Sequence, residues 1–155
     1  MPFDPEQFRR RYPGRPFPDI RFRSEPHRWA LEQRIAAVLG RPDGEAEAAD
    51  REGSAVWGYF DAAATVDTLG SARPGVDLAA AAADRGLPVD GRVYVEWYSG
   101  DQIDVPFRDL ADYFPAFWQA GADDLAVFDD SCRWVLFVTR TGDVRLAEAG
   151  RDRPA

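Results

Sequence analysis

The chain has 155 residues and a net charge of −8; 45% of its residues are apolar, 30% are charged and 13% are aromatic. This length and composition are typical of one globular domain with a single well-buried core, and they exclude a disordered chain. The negative charge argues against direct binding of nucleic acid, which requires clustered cations, and favours a basic protein partner.

The chain offers few residues for catalysis or for binding a metal. All 19 cationic residues are arginines, so no lysine can form a Schiff base or bind a phosphate group. His27 is the only histidine and Cys132 the only cysteine, which excludes the common zinc sites and a disulfide within the chain. We interpret both residues as structural, and we expect no cofactor, no metal site and no catalytic residue.

Residues 1–23 contain five prolines and a run of three arginines, which predicts an extended arm with about one helical turn. Aromatic side chains along this arm predict that it lies on the domain. The segment does not have the apolar core of a signal peptide, and no run in the chain approaches the roughly 20 apolar residues of a membrane span. We therefore expect a cytoplasmic protein with no membrane partner.

A single domain is predicted over residues 24–148. Its first helix begins after Ser24, a favourable N-cap, and Gly40 supplies a stop signal. Leu31 and Ile35 belong to the apolar stripe of this helix, which therefore packs against the core.

Residues 41–54 are polar and charged, which predicts a mobile loop, and residues 149–155 are predicted to form a tail. Apolar side chains recur near helical spacing in residues 55–69, which predicts a helix, with a strand at the start of this segment as the alternative. A further short helix is predicted between the N-cap Asp77 and the stop signal Gly86.

Alternating apolar residues in segments 92–98 and 103–107 predict two strands joined by a hairpin turn at residues 99–101. A short aromatic helix follows, with Asp109 as its N-cap and Pro115 as its end or kink.

Two apolar runs, residues 125–128 and 134–138, flank a polar turn, and a tight turn at Gly142 leads to a last strand. The predicted fold class is α+β: a single domain with helices packed on one face of a mostly antiparallel sheet of about five strands.

Aspartates and aromatic residues near the predicted hairpin tips are the candidates for contact with a partner. The aspartates are Asp101, Asp104, Asp129 and Asp130. The aromatic residues are Trp97, Tyr98 and Trp118. Carboxylates complement a basic partner, and large aromatic side chains are common anchors of interfaces, although core packing is the alternative role of each ring.

Paired carboxylates can also hold Mg²⁺ or hydrolyse glycosides, which leaves a small carboxylate-based enzyme that binds a metal or a ligand as an alternative function. The adjacent pairs Asp123-Asp124 and Asp129-Asp130 favour this alternative little, because neighbouring residues of a strand point to opposite faces. Aspartate is a common turn former and protects sheet edges from aggregation. We therefore interpret both pairs as structural, with partner contact as a second role for the latter pair.

Residues 107–146 carry an ordered set of features. In chain order these are Phe117-Trp118 at the end of a short aromatic helix, Asp123-Asp124 before a strand, Phe128-Asp129 after it, Trp134-Val135-Leu136 in the next strand, and the turn residue Gly142. The set resembles the C-terminal part of small bacterial immunity proteins, which neutralise polymorphic or contact-dependent toxins. Gln119-Ala120 stands where relatives carry Tyr-Pro, and Arg140-Thr141 stands where they carry a histidine before the turn glycine.

The resemblance implies a non-enzymatic inhibitor that binds a cognate toxin. Such a protein needs a rigid surface that covers its partner, and an acidic, aromatic surface complements the cationic cleft of a nuclease toxin. A role as an adaptor in a larger assembly is a further alternative.

Overall fold

A computed structural model describes residues 3–38, 55–58, 65–71, 77–88, 90–119 and 121–149. These residues form an α+β domain, which confirms the predicted fold class. None of the helices within these ranges is long and apolar enough to cross a membrane.

The described ranges contain α-helices and short 3₁₀-helices. The α-helices are α1 (Pro5–Arg11), α2 (Glu25–Val38), α3 (Leu78–Asp84) and α4 (Phe107–Asp112). The 3₁₀-helices are Ala55–Gly58 and Phe114–Ala116.

The strands form one antiparallel sheet. They are β1 (Thr65–Ser71), β2 (Arg92–Trp97), β3 (Gln102–Pro106), β4 (Leu125–Phe128), β5 (Trp134–Val138) and β6 (Asp143–Glu148). Their order across the sheet is β1-β6-β5-β4-β2-β3. Three pairs of strands are consecutive in the chain and also neighbours in the sheet: β2-β3, β4-β5 and β5-β6. A short turn joins each pair, and these turns lie at the two ends of the sheet.

Helices cover both faces of the sheet. The strands β2, β4 and β5 are therefore buried along their central length. Helices α1, α3 and α4 contribute to the core on the face that carries Val93 and Val95. Helix α2 packs on the opposite face through Leu31 and Ile35, against residues that include Phe128. The predicted arrangement, with helices on one face, is corrected in this respect: α2 forms a layer of its own.

The predicted N-caps of α2 and α3 are confirmed, whereas Gly40, the predicted stop of α2, lies outside the described residues. Oγ of Ser24 accepts a hydrogen bond of 3.4 Å from the backbone N–H of His27. Asp77 accepts one of 3.0 Å from the N–H of Ala80, and Gly86 ends α3 with a φ of +71°. These contacts satisfy backbone groups that would otherwise lack partners at the helix ends.

Helix α4 begins earlier than the sequence pattern predicted. Its first residue is Phe107, and Pro106 occupies the N-cap position without a side-chain hydrogen bond. Asp109 lies in the first turn of the helix, so its prediction as the N-cap is wrong.

The described parts of residues 55–69, which are 55–58 and 65–69, do not form the predicted helix. The 3₁₀-helix occupies the start of this segment, and β1 begins at Thr65 and extends to Ser71. Strand β1 pairs with β6, with Thr65 opposite Glu148 and Ser71 opposite Asp143. This pairing with a distant strand overrides the local periodicity, which does not report partners far along the chain. The predicted loop and most of the predicted tail lie outside the described residues.

The N-terminal arm packs on the domain, which confirms the prediction from its aromatic residues. Phe3 and Phe8 are each 1% exposed and belong to the core. The ring of Phe3 stacks on that of Phe117, with 4.8 Å between centroids. After α1 the arm runs beside β3, where two backbone hydrogen bonds of 2.8 and 2.9 Å join Arg21 to Asp104. The arm therefore covers the outer edge of β3.

Candidate functional site

One end of the sheet brings together three turns, which we call the upper edge. They are residues 98–101, 121–124 and 139–142. They meet because Trp97 pairs with Leu125 and Leu125 pairs with Val138 on adjacent strands. The upper edge contains two of the predicted contact residues, Tyr98 and Asp101.

The opposite end of the sheet holds the turn between β4 and β5, residues 129–133, which we call the lower edge. Tyr94 lies next to this turn because it pairs with Phe128. Asp129 and Asp130 belong to the lower edge. The register therefore places the predicted contact aspartates at opposite ends of the sheet, and one hairpin surface does not contain them all.

Tyr98 presents an exposed ring from a fixed backbone. Tyr98 is 65% exposed. Its backbone N–H donates a hydrogen bond of 3.0 Å to the carbonyl of Asp124. The ring meets that of Trp57 edge-on, with 5.4 Å between centroids. A ring held in this way loses little conformational entropy when it binds a partner.

The turn that follows Tyr98 is held from two sides. Gly100 has a φ of +98°, which non-glycine residues rarely adopt. Its carbonyl accepts a hydrogen bond of 2.6 Å from the guanidinium of Arg28, which links the tip to α2. The exposed carboxylate of Asp101 accepts one of 3.0 Å from the hydroxyl of Ser99. Asp101 is thus a solvent-facing negative charge at a defined position.

Asp124 joins two turns of the upper edge through Arg140. Its carboxylate accepts hydrogen bonds from the backbone N–H of Arg140 at 2.6 Å, and from Nε and Nη2 at 3.1 and 2.8 Å. Partial burial acts to raise the pKa of Asp124, but the hydrogen bonds and charge of Arg140 outweigh it and hold that pKa below its usual value. Asp124 is therefore an ionised, paired carboxylate with a structural role.

Trp97 and Trp118, which were predicted as contact residues, lie in the core and are 2% and 7% exposed. The indole N–H of Trp97 donates a hydrogen bond of 3.0 Å to the carbonyl of Phe117. That of Trp118 donates one of 2.9 Å to the carbonyl of Asp123. Because the rings are buried and their donors are used internally, both residues support the upper edge from beneath and do not form its surface.

The aspartates of the lower edge take part in the turn, which confirms their interpretation as turn residues. Asp129 accepts a hydrogen bond of 2.9 Å from the backbone N–H of Ser131. Asp130 accepts one of 2.6 Å from the hydroxyl of Tyr94. The guanidinium of Arg34, in α2, donates one of 2.8 Å to the carbonyl of Asp130. The side chain of Asp130 is 74% exposed, so it also faces solvent.

His27 completes a hydrogen-bonded chain at this end of the sheet. Its Nε2 lies 2.9 Å from the hydroxyl oxygen of Tyr94. Because Tyr94 donates its single hydroxyl hydrogen to Asp130, Nε2 must carry a hydrogen and act as the donor. Burial, and then the hydrogen bond to Asp130, raise the pKa of Tyr94 above its usual value. The chain ties α2 to the lower edge, in agreement with a structural role for His27.

Asp104 was predicted to face a partner but is 2% exposed. Its carboxylate accepts a hydrogen bond of 2.7 Å from Nε of Arg23 and another from Nε of Arg92. Arg92 also bonds the carboxylate of Asp19 at 2.9 Å. Since two guanidinium groups enclose it, Asp104 fixes the arm to the sheet and is removed from the candidate contact residues.

Cys132 lies buried in the turn of the lower edge, with a φ of +55°. Burial raises the pKa of its thiol to about 12. The nucleophilic form of cysteine is the thiolate, which is scarce at neutral pH when the pKa is so high. This agrees with the interpretation of Cys132 as inert.

Within the ranges that the structure describes, no group of three or more His, Cys, Asp or Glu side chains could hold a metal ion. That part of the chain therefore offers no metal centre for the alternative function, a metal-binding enzyme. Two supports of the upper edge, Arg28 and Trp57, were not predicted from the sequence. Their contacts form when distant elements pack together, and no local pattern of residues indicates them.

Comparison of the chain with protein-family models, curated proteins and solved structures finds no match.

Proposed function

We propose that this protein is a non-enzymatic, immunity-type inhibitor that binds a cognate bacterial toxin in the cytoplasm through its upper edge. The observation that carries the proposal is the exposed ring of Tyr98 beside the carboxylate of Asp101, on a turn whose backbone is held by hydrogen bonds. An inhibitor of this kind needs a surface that fits its partner and no catalytic group.

Tyr98 has the properties of an interface anchor. Tyrosine is enriched among the residues that dominate binding free energy, because it buries a large apolar area and also offers a hydroxyl group. The backbone hydrogen bond to Asp124 and the edge-on contact with Trp57 hold the ring in place before binding. Less conformational freedom is then lost in the complex, which favours affinity.

Charge supports a basic partner. The chain has a net charge of −8, and Asp101 faces solvent next to the anchor. Opposite charges speed association and are screened by salt, so a complex formed here should weaken as the salt concentration rises. Arg140 neutralises Asp124 within the protein, which leaves Asp101 as the carboxylate of the hairpin turn that can meet a cation of the toxin.

The family resemblance covers turns at both ends of the sheet, and the exposed ring of Tyr98 favours the upper edge. Two of the turns of the upper edge, residues 121–124 and 139–142, belong to the segment 107–146 that resembles immunity proteins. The lower edge is the weaker candidate, because the aromatic ring beside it, that of Tyr94, is buried, whereas that of Tyr98 is exposed.

Affinity capture of the tagged protein from its own host, with mass spectrometry of the proteins retained, tests the proposal. We expect one basic protein in equimolar amount, retained at low salt and released at high salt. When expressed alone, that protein should stop bacterial growth, and co-expression with the wild-type chain should restore growth.

Several results would contradict the proposal. A partner whose expression is harmless would favour the adaptor function, and no partner under conditions that induce the neighbouring genes would remove the support for an inhibitor. A gain in melting temperature with Mg²⁺ or Ca²⁺ would favour the alternative of a metal-binding enzyme, because a ligand of the folded state stabilises it.

A further inference from the structure

The upper edge alone is smaller than a stable protein–protein interface. It consists of three turns, residues 98–101, 121–124 and 139–142, whereas a specific interface takes up about 800 Å² and roughly 20–30 residues of each partner. A toxin that binds the upper edge must therefore also cover surface next to it. The neighbouring elements decide which surface this is.

Helix α2 is joined to the tip of the hairpin that carries Tyr98. Nη2 of Arg28, in α2, donates a hydrogen bond of 2.6 Å to the carbonyl of Gly100. The ring of Tyr98 also lies on the face of the sheet that α2 covers, because it contacts Trp57, which packs against the same core cluster as α2. The surface that continues from the upper edge on this face therefore belongs to α2.

Glu25 and Trp29 lie on the side of α2 that carries Arg28. Successive residues of an α-helix are about 100° apart around its axis, so Glu25 lies between Arg28 and Trp29 on the helix surface, one turn before them. The buried stripe, which includes Leu31 and Ile35, lies on the other side of Arg28. Glu25 and Trp29 therefore project outward from the side of α2 that meets the hairpin tip.

This side of α2 carries the same two kinds of group as the turn of Tyr98 and Asp101. Trp29 is 38% exposed, and Glu25 is exposed in the first turn of the helix. Tryptophan is among the residues that most often dominate binding free energy, because its ring buries a large apolar area. A carboxylate beside it attracts a cation. The two surfaces therefore suit one partner that is basic and partly apolar.

We propose that Trp29 and Glu25 extend the toxin-binding surface from the upper edge onto α2, with Trp29 as a second anchor. This inference rests on the proposed function and assigns its second contact area. The toxin presents an apolar patch to Trp29 and a cation to Glu25. The hydrogen bond between Arg28 and Gly100 holds the two contact areas in a fixed relation before the toxin binds.

Calorimetric titration of the captured basic partner into full-length variants tests the inference. We expect about tenfold weaker binding by Trp29→Ala, and about threefold weaker binding by Glu25→Gln at low salt that disappears at high salt. Glu6→Gln is the matched control for charge, because Glu6 is also an exposed glutamate in the first turn of a helix. Phe22→Ala is the control for an exposed ring, and neither control should change the affinity.

The two variants of α2 separate binding from folding. Trp29→Ala removes a partly buried ring, so its melting temperature is measured as well, whereas Glu25→Gln changes the charge of an exposed side chain and hardly its size. If both bind as the wild type does while Tyr98→Ala binds more weakly, the extension onto α2 is overturned and the proposed function stands. If Tyr98→Ala also binds as the wild type does, the proposed function itself fails, and this inference fails with it.

Discussion

The carboxylate of Asp104, in β3, accepts a hydrogen bond of 2.7 Å from Nε of Arg23, in the segment that leads into α2. Arg92, on the neighbouring strand, bonds the other carboxylate oxygen. This buried group therefore joins the N-terminal arm, the edge of the sheet and the start of a helix that packs on the far face.

Asp104→Asn should lower the free energy of unfolding by about 3 kcal/mol, because two guanidinium groups lose the carboxylate that balances them in a largely buried site. Urea unfolding at neutral pH measures the change. Asp101→Asn, which removes an exposed carboxylate, is the matched control and should change stability by less than about 0.5 kcal/mol. Equal effects of the two substitutions would show that the Asp104 cluster does not hold the arm.

Phe8→Ala should lower the free energy of unfolding by about 3–5 kcal/mol, because it leaves a cavity in the core. The ring of Phe8 is buried and lies edge-on to that of Tyr113, at 5.1 Å between centroids. Phe22→Ala is the control from the same arm, since Phe22 is 64% exposed. If both variants unfold at the same urea concentration, the arm is not part of the folded core.

Asp124→Asn should destabilise the protein by about 1–2 kcal/mol at pH 7, because the bonds to Arg140 then lose their charge. The folded-state pKa of Asp124 is depressed, so its contribution is present above the unfolded-state value and is lost as pH falls through the folded-state value. The difference in stability between wild type and variant should therefore shrink as pH is lowered from about 5 to about 2. A difference that stays constant over this range would contradict the pairing with Arg140.

The thiol of Cys132 should react with an aromatic disulfide reagent only as fast as the protein opens, and at once in urea. Its folded-state pKa of about 12 exceeds that of an unfolded cysteine, so it contributes stability that is lost as pH rises above the unfolded-state value. Cys132→Ala should therefore show a shallower loss of stability than the wild type between about pH 8 and pH 10. Fast labelling of the folded protein at pH 7 would refute the burial of this thiol.

Local sequence patterns correctly predicted the features that depend only on nearby residues. Ser24 and Asp77 cap the helices that they were predicted to cap, and the alternation in β2 placed Val93 and Val95 together on one face. Each of these features depends on residues within one or two turns, so a single sequence contains the information.

The features that were predicted wrongly depend on contacts between distant segments. Strand β1 forms because β6 offers it a partner, and no pattern within residues 55–69 reports β6. Asp104 has the sequence context of an exposed strand residue, but the arm covers it and Arg23 and Arg92 enclose its carboxylate. The separation of Asp101 from Asp130 likewise follows from strand order, which local spacing does not determine.

In the proposed function, a toxin binds the upper edge with Tyr98 as its anchor. Calorimetric titration of the captured partner into the wild type, Tyr98→Ala and Phe22→Ala tests it most directly. We predict equimolar binding by all three, with an affinity about 30-fold weaker for Tyr98→Ala and unchanged for Phe22→Ala, the control at another exposed aromatic residue. Equal affinities of wild type and Tyr98→Ala for a verified toxin would contradict the claim.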